Sequence, residues 1–510
     1  DRSRRRLVGS DLRRWYARFI EQHSNTGISV RLVDTDNGVV QISADSESGR
    51  TSSGLTLGRK WAMVGGVKDT PAAPYALETK RLLTHAFICG ATGSGKTVLA
   101  KALLEEVLLK GIPCIAIDLK GDISSMAIWI DNMEPRDLQQ WVHGDNDQQR
   151  LMAAERELAD HREKHSEYSP GTDPIETGRE LKESTTTTVY TPRQKRGVQL
   201  GFPAALAPSR EVNELLRNNE LREQVRTQTD AFLDRLYPGT KKQKIENERA
   251  FLFELVHHAW TSNIDLRGKD GIAQLLRLIE QPPFSKIGRL PVSQFIDAEN
   301  RRPRLLNKVN SLIAGPDEQW FEGTPLKMDL FLPEGDDSPT PLSIFNLADV
   351  PEFEDRSFVV AQIANAVYNW MRTQAGSQGP RLLLFIDEIG GGGGKQALFA
   401  SHPYECAAKW GLNYIVRQGR SFGVCLVLAT QNPGDVDYRA LSNCGTHIIG
   451  RLGTKRDRKK ALESASLTGM ERKQLDEFLM KSDPGDFAVL QGGKNVDFIH
   501  SRWIHSYHTP

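Results

Sequence analysis

The stretch Gly90–Thr97 reads "GATGSGKT" and fits the pattern G-x-x-x-x-G-K-[ST]. Its glycines let successive backbone N–H groups curl round a phosphate, and a helix beginning at the lysine adds the positive end of its dipole. The pattern carries that meaning only between a strand and a helix. Both flanks are present. "HAFIC" before it is a short apolar run, and "KTVLAKALLEEVLLKG" after it has helical spacing. A second apolar run, "PCIAIDL", follows. Strand, helix and strand in that order imply a parallel sheet. Gly90, Ala91, Thr92, Gly93, Ser94, Gly95, Lys96, Thr97 and Val98 are therefore candidate nucleotide ligands. Lys96 is expected to reach the β- and γ-phosphates of ATP, and Thr97 to ligate Mg²⁺.

Further buried-strand runs come much later: "PLSIFNLAD" (341–349), "RLLLFIDE" (381–388), "GVCLVLAT" (423–430) and "THIIG" (446–450). An α/β core is therefore expected in two pieces, 68–135 and 336–510, separated by a mainly helical insertion over 136–335. Residues 1–67 read as an N-terminal helix, over about 1–25, followed by a small β region. The last piece should carry the acidic pair, the candidate arginines and a C-terminal tail.

The run "FIDEI" ends a buried strand in two adjacent carboxylates. Asp387 at such a tip can hold a Mg²⁺ shell, and Glu388 can polarise a water for attack on a γ-phosphate. The next strand ends "LVLATQNP", which puts Gln431 where it can sense the γ-phosphate or orient that water. Asp118, in "IDLKGD", either reaches the nucleotide through water or serves its own turn. Arg417 and Arg420 ("YIVRQGRSFG") and Arg451 ("IIGRLG") lie at element edges, from which an arginine can meet γ-phosphate charge in cis or from a neighbouring subunit. For Arg417 alone, a surface ion pair is the favoured reading. Five glycines, Gly390 to Gly394, start two residues past Glu388. Core elements flank them on both sides, so they read as a loop beside the carboxylate and not as an interdomain linker.

Composition excludes some classes. Lys plus Arg (66) nearly cancels Asp plus Glu (65), so bulk charge does not make this a nucleic-acid coat protein, although "RLGTKRDRKK" (451–460) is a local basic segment. No apolar run reaches the length of about 18 residues that a membrane helix needs. The five cysteines form no CxxC pair, and three of them lie in apolar runs, which suggests a reducing, cytoplasmic setting. His500, His505 and His508 fit no tight zinc spacing.

The P-loop, "IDLKGD", "FIDEI", "RQGRSFGV", "LATQNP" and "LSNCGTHIIGRL", in that order, resemble the HerA/FtsK superfamily of ring-forming, DNA-pumping ATPases. The resemblance covers roughly residues 58–490 and is most specific in "RQGRSFG" paired with "ATQ". It implies a RecA-like P-loop NTPase core. It also implies ATP and Mg²⁺ as cofactors, a hexameric ring and double-stranded DNA as cargo. The catalytic set carried over is Lys96, Glu388, Gln431, Arg420 offered in trans to the neighbour's ATP, and Arg451 as a further phosphate-facing arginine. Thr97 and Asp387 take the Mg²⁺ role. No nuclease signature is present, so a nuclease or defence effector would be a separate partner. The alternative to a translocase is an ATP-gated oligomeric scaffold for such an effector. Residues 1–67 show no clear match to the β-barrel that many HerA proteins carry.

Overall fold

The computed structural model describes residues 30–33, 41–44 and 54–508, except 65–66, 170–172, 194–196, 202–205, 207, 209–211, 218, 238–239, 241, 315–318, 321–322, 336, 392–394, 401–403, 405, 464–468 and 493–494. The chain divides into two compact units, Asp1–Gly54 and Leu55–Pro510. In the first, β1 (Val30–Val33) and β2 (Gln41–Ala44) pair antiparallel, with Val30 opposite Ala44. The helix expected over 1–25 lies outside the described residues.

The second unit begins one residue into β3 (Gly54–Val64) and continues with β4 (Val67–Glu78), β5 (Ala86–Cys89), α1 (Lys96–Leu108) and β6 (Cys114–Asp118). There follow α2 (Asp147–Tyr168), β7 (Thr185–Tyr190), α3 (Leu221–Leu236), α4 (Glu246–Thr261), α5 (Gly268–Glu280) and α6 (Arg301–Asn310). The later core holds β8 (Thr340–Asn346), α7 (Phe353–Met371), β9 (Leu382–Asp387), α8 (Ala407–Phe422), β10 (Val424–Thr430) and β11 (Thr446–Ile449). The chain closes with α9 (Lys455–Glu463), α10 (Gly469–Lys481), β12 (Asp486–Gln491) and β13 (Asn495–Ser501).

Among the described residues these strands make one eleven-stranded sheet, ordered β4-β3-β13-β12-β11-β5-β10-β9-β6-β8-β7. From β11 to β7 every neighbouring pair is parallel, whereas β12 and β13 add antiparallel. The sheet takes strands from all four expected segments. β3 and β4 straddle residue 67 and both belong to it. β7, from within 136–335, lies at the far edge with Thr187 opposite Leu342.

The parallel strands are apolar throughout because both faces are covered. Alternate residues serve two different cores. Ile88, Ala116, Phe385 and Val427 face one, with Leu99, Leu103 and Val107 of α1. Cys89, Ile117, Ile386 and Leu428 face the other, with α7, α8 and the helices of 212–312. That period of two is the pleat itself.

The chain after β13 is fastened to α1 by buried charge. Arg502 is 4% exposed, and its guanidinium meets Glu105 at 2.9 Å and Glu106 at 3.2 Å while also donating to the carbonyls of Thr56 and Ala102. Glu105 in turn accepts from the amides of His505 and Ser506. Truncating one partner strands a buried charge, so Arg502→Ala should destabilise the fold by about 3–5 kcal/mol. Chemical denaturation would measure it, and a loss below about 1 kcal/mol would mark the network as marginal.

Candidate active site

In the order β11-β5-β10-β9-β6, one strand separates the phosphate loop from the acidic pair. All five run parallel, so their C-terminal ends share one edge, where ligands bind in open α/β sheets. Gln431, just past the tip of β10, therefore lies between the loop and Glu388.

Neighbouring strand ends grip the loop. Gly90 N donates to Thr430 O at 3.3 Å and Ala91 N to Arg451 O at 2.8 Å, while Gly450 N donates to Cys89 O at 2.8 Å. Ser94 N closes the turn on Ala91 O at 3.0 Å. Gly95 has φ +86°, in the left-handed region, and a Cβ there would come within 2.8 Å of Gly485 N. No other residue type satisfies both demands. Leu99 N then donates to Gly95 O, and α1 is under way.

Lys96 and Asp387 are buried together, 4% and 1% exposed, with Nζ donating to Asp387 Oδ1 at 3.0 Å. The same ammonium lies 3.8 Å from Glu388 Oε2. Asp387 Oδ2 and Ser94 Oγ are buried without a hydrogen-bond partner. A buried carboxylate oxygen lacking a donor is costly and is uncommon in native folds. It suits a hard cation or that cation's water, and Thr97, half-buried beside Lys96, supplies a second oxygen of the right kind. Among the described residues no group of three or more His, Cys, Asp or Glu is arranged to hold a metal. Mg²⁺ held mainly by phosphates and waters needs no such group.

Glu388 has φ +66°, a conformation rare for a residue with a side chain. Such backbones persist where the surroundings over-determine them and cluster at functional sites. Its Oε1 accepts from Thr430 Oγ1 at 2.7 Å, and Gln431 N donates to both oxygens at 3.1 and 3.2 Å. Lys120 Nζ donates to Oε2 at 2.9 Å. Burial pushes this carboxyl up, but Lys96 and Lys120, with the hydrogen bonds from Lys120 and Thr430, outweigh it and hold Glu388 below the usual glutamate range. It is ionised at neutral pH. Gln431 Oε1 accepts from Thr92 Oγ1 at 3.0 Å, so β10 and the loop are joined through side chains as well.

Asp118, opposite Asp387 in the β6–β9 register, spends its carboxylate on its own turn. Oδ1 accepts from Gly121 N at 2.7 Å and Lys120 N at 3.3 Å, and Oδ2 from Ser124 N at 2.8 Å and Ser124 Oγ at 2.7 Å. Burial raises its pKa, and the Ser124 and Gly121 donors pull against that without cancelling it. Of the two readings open in the sequence, the geometry takes the turn.

The arginines are distributed differently. Arg451 offers its carbonyl to the phosphate loop, and its side chain is half-buried. Arg417 and Arg420 are exposed in the last turns of α8, immediately before β10 begins. They sit at the opposite end of β10 from Gln431, roughly 20 Å away at the rise of an extended strand. His85 fixes this end. Its Nε2 lies 3.0 Å from Val416 O, and Leu426 N donates to its Nδ1 at 3.1 Å. Burial lowers the ring's pKa to about 4, so it stays neutral, donating from Nε2 and accepting at Nδ1. Arg420 thus does not meet the phosphate loop of its own chain.

In the basic segment, Arg458 is buried and committed to Asp476 at 2.8 Å and to the carbonyls of Leu452 and Gly453, whereas Lys455, Arg456 and Lys459 are exposed. His500 meets Asp486 at 2.7 Å, and buried His505 packs 4.7 Å from His165. Past Glu388, Ile389 N still pairs with Ala429 O, and Leu398 N returns to Ile389 O at 2.9 Å. Gly390, the first residue of the glycine run, packs against Thr430, where a Cβ would fall 2.6 Å from Oγ1, and Gly392 to Gly394 lie outside the described residues.

Lys120, Thr430 and His85 are not marked as site residues by the sequence. Two of them stand inside the segments "IDLKGD" and "LATQNP", beside the candidate residues those segments carry.

A parallel sheet with the phosphate loop one strand removed from a carboxylate pair, and a glutamine between them, defines a RecA-like P-loop NTPase. The family described as the central domain of the helicase HerA matches residues 62–367, more than half of the chain, and the chain belongs to that family, within the HerA/FtsK superfamily. The fold is similar to that of VirB4 of Thermoanaerobacter pseudethanolicus, at TM-score 0.51 and 14% identity, covering 89% of this chain and 97% of that one. It is also similar to the plasmid coupling protein TrwB in complex with the non-hydrolysable GTP analogue GDPNP, at TM-score 0.50 and 14% identity, covering 91% and 98%. Comparison with curated proteins gave no match.

Proposed function

We propose that the protein is a Mg²⁺-dependent ATPase that works as a ring of identical subunits, binds double-stranded DNA and moves along it. The observation that carries the hydrolytic part is the ionised Glu388, held at the tip of β9 within reach of both Lys96 and the Gln431 amide. Gly90 to Val98 would cradle the phosphates, and Thr97 and Asp387 would hold Mg²⁺, which supplies positive charge to the phosphate oxygens when bound. Lys96 leaves Asp387 for the β- and γ-phosphates. Glu388 takes a proton from the attacking water, and Gln431 orients that water or reports the γ-phosphate to the loop through Thr92. TrwB has been seen with the non-hydrolysable GTP analogue GDPNP, which supports a nucleoside triphosphate at this site.

Among the described residues no helix is long and apolar enough to cross a membrane. The exposed Lys455, Arg456 and Lys459 on α9 offer a DNA-facing patch. Replacing Lys455 and Arg456 together with alanine should weaken duplex binding and lower the slope of log K against log salt by about 2, at roughly 0.9 for each phosphate no longer neutralised. Filter binding at several salt concentrations measures this, and an unchanged slope would remove α9 from the interface. The decisive experiment is ATP turnover with and without duplex DNA, together with displacement of a protein roadblock from that DNA. Stimulation with displacement supports the motor. Turnover that ignores DNA supports an ATP-gated scaffold for a nuclease or defence effector.

A further inference from the structure

Both oxygens of the Glu388 carboxylate are occupied by donors of the protein itself. Oε1 holds the Thr430 hydroxyl and shares the Gln431 amide, and two ammonium groups converge on Oε2, Lys120 at 2.9 Å and Lys96 at 3.8 Å. A carboxylate in this state has little left with which to accept a water's proton. Lys96 belongs to the phosphate loop, and its departure for a nucleotide follows from its sequence context. Lys120 does not belong to that loop. It stands on the turn after β6, whose backbone is locked by three amide hydrogen bonds to Asp118, with the Ser124 hydroxyl adding a fourth. Its side chain is one-third exposed while that of Glu388 is 12% exposed. The stem can therefore swing while its base stays fixed.

We propose that Lys120 is a γ-phosphate-sensing residue. Without nucleotide its ammonium holds Glu388 at the tip of β10, and the terminal phosphate of a bound nucleoside triphosphate takes that ammonium over and releases the carboxylate. The exchange follows from charge and distance. The two lysines flank one oxygen, so a phosphate reached by Lys96 is also near Lys120. A γ-phosphate carries more negative charge than the single charge of a carboxylate. A partly exposed lysine–glutamate pair is worth at most about 1 kcal/mol, so releasing it costs little. A nucleoside diphosphate has no group at that position and leaves the clamp closed. The inference rests on the ATPase reading above and adds to it a distinction between triphosphate and diphosphate made by a residue outside the phosphate loop.

The test is equilibrium binding of Mg²⁺ with a non-hydrolysable ATP analogue, and of Mg²⁺ with ADP, to the full chain and to its Lys120→Met and Lys120→Arg variants. Lys120→Met should weaken the triphosphate analogue about tenfold, equivalent to about 1.4 kcal/mol. ADP affinity should stay within about twofold, and Lys120→Arg should restore most of the affinity, since a guanidinium binds phosphate as well. Equal losses for both nucleotides would make Lys120 a structural support and overturn the proposal. Unchanged affinity for both would overturn it too, leaving Lys120 with a surface ion pair alone. Failure of the underlying reading looks different: the wild-type chain would show no specific nucleotide binding, or none that Lys96→Ala removes.

Discussion

Glu388→Gln should bind ATP, hold it and fail to hydrolyse it, with kcat lowered by about 10²–10⁴ and KM little changed, which is the range expected for removal of a general base. The side chains have the same shape. Glutamine keeps an oxygen for the Thr430 hydroxyl and the Gln431 amide, so the left-handed backbone at 388 and the tip of β10 stay supported. What disappears is the ability to take a proton. The variant also gives up its attraction for Lys96 and Lys120, which makes both lysines more available to phosphate, so binding should hold steady or tighten. Nucleotide retained through gel filtration, together with single-turnover hydrolysis, would measure the two effects separately. Turnover near the wild-type rate would show that Glu388 is not the base and would leave its placement between two cations without a catalytic purpose.

The geometry also says which parts of this site a sequence can express. The phosphate loop is legible because its demands are local: Gly95 must adopt φ +86° against Gly485, and Lys96 must open a helix. The acidic pair is legible because a short apolar run ending in two carboxylates reads as a buried strand whose tip reaches the C-terminal end of the sheet. The clamp on Glu388 is not. Lys120 lies 268 residues away in sequence, and the two meet only because β6 and β9 are neighbours in register. The same holds for β7. Its β-branched TTTTVY sequence reads as a strand, but nothing in it says that it will close the far edge of the sheet beside β8, and by position it falls within the mainly helical insertion. Asp118 shows the limit from the other side. A carboxylate at a strand tip near a nucleotide site invites a chemical role, but "DLKGDIS" also spells a turn whose amides need an acceptor, and the turn uses both oxygens.

Arg420→Ala should lower ATP turnover by about 10³–10⁵ as a pure assembly, the span associated with loss of an arginine finger. Activity should return in part when the variant is mixed with Glu388→Gln. The reasoning starts from placement. Arg420 is exposed at the end of α8, where β10 begins, while the chain's own phosphate loop lies beyond the other end of that strand. Within one chain it has no route to its own γ-phosphate that leaves β10 intact. His85 anchors Val416 and Leu426 and so keeps this end from moving independently of the sheet. A surface of this kind acts on chemistry only when another subunit's phosphate edge is brought against it. An Arg420→Ala subunit still carries an intact Glu388, and a Glu388→Gln subunit still carries an intact Arg420. Interfaces that combine the two good halves should therefore turn over, whereas each pure variant has none. Mixing at a series of ratios and fitting activity to the fraction of complete interfaces would measure this, with mixed assembly verified by a tag on one variant. Co-assembly with no recovery at any ratio would exclude Arg420 from a shared site, and a fall of less than about tenfold in the pure variant would leave it as a solvent-facing arginine.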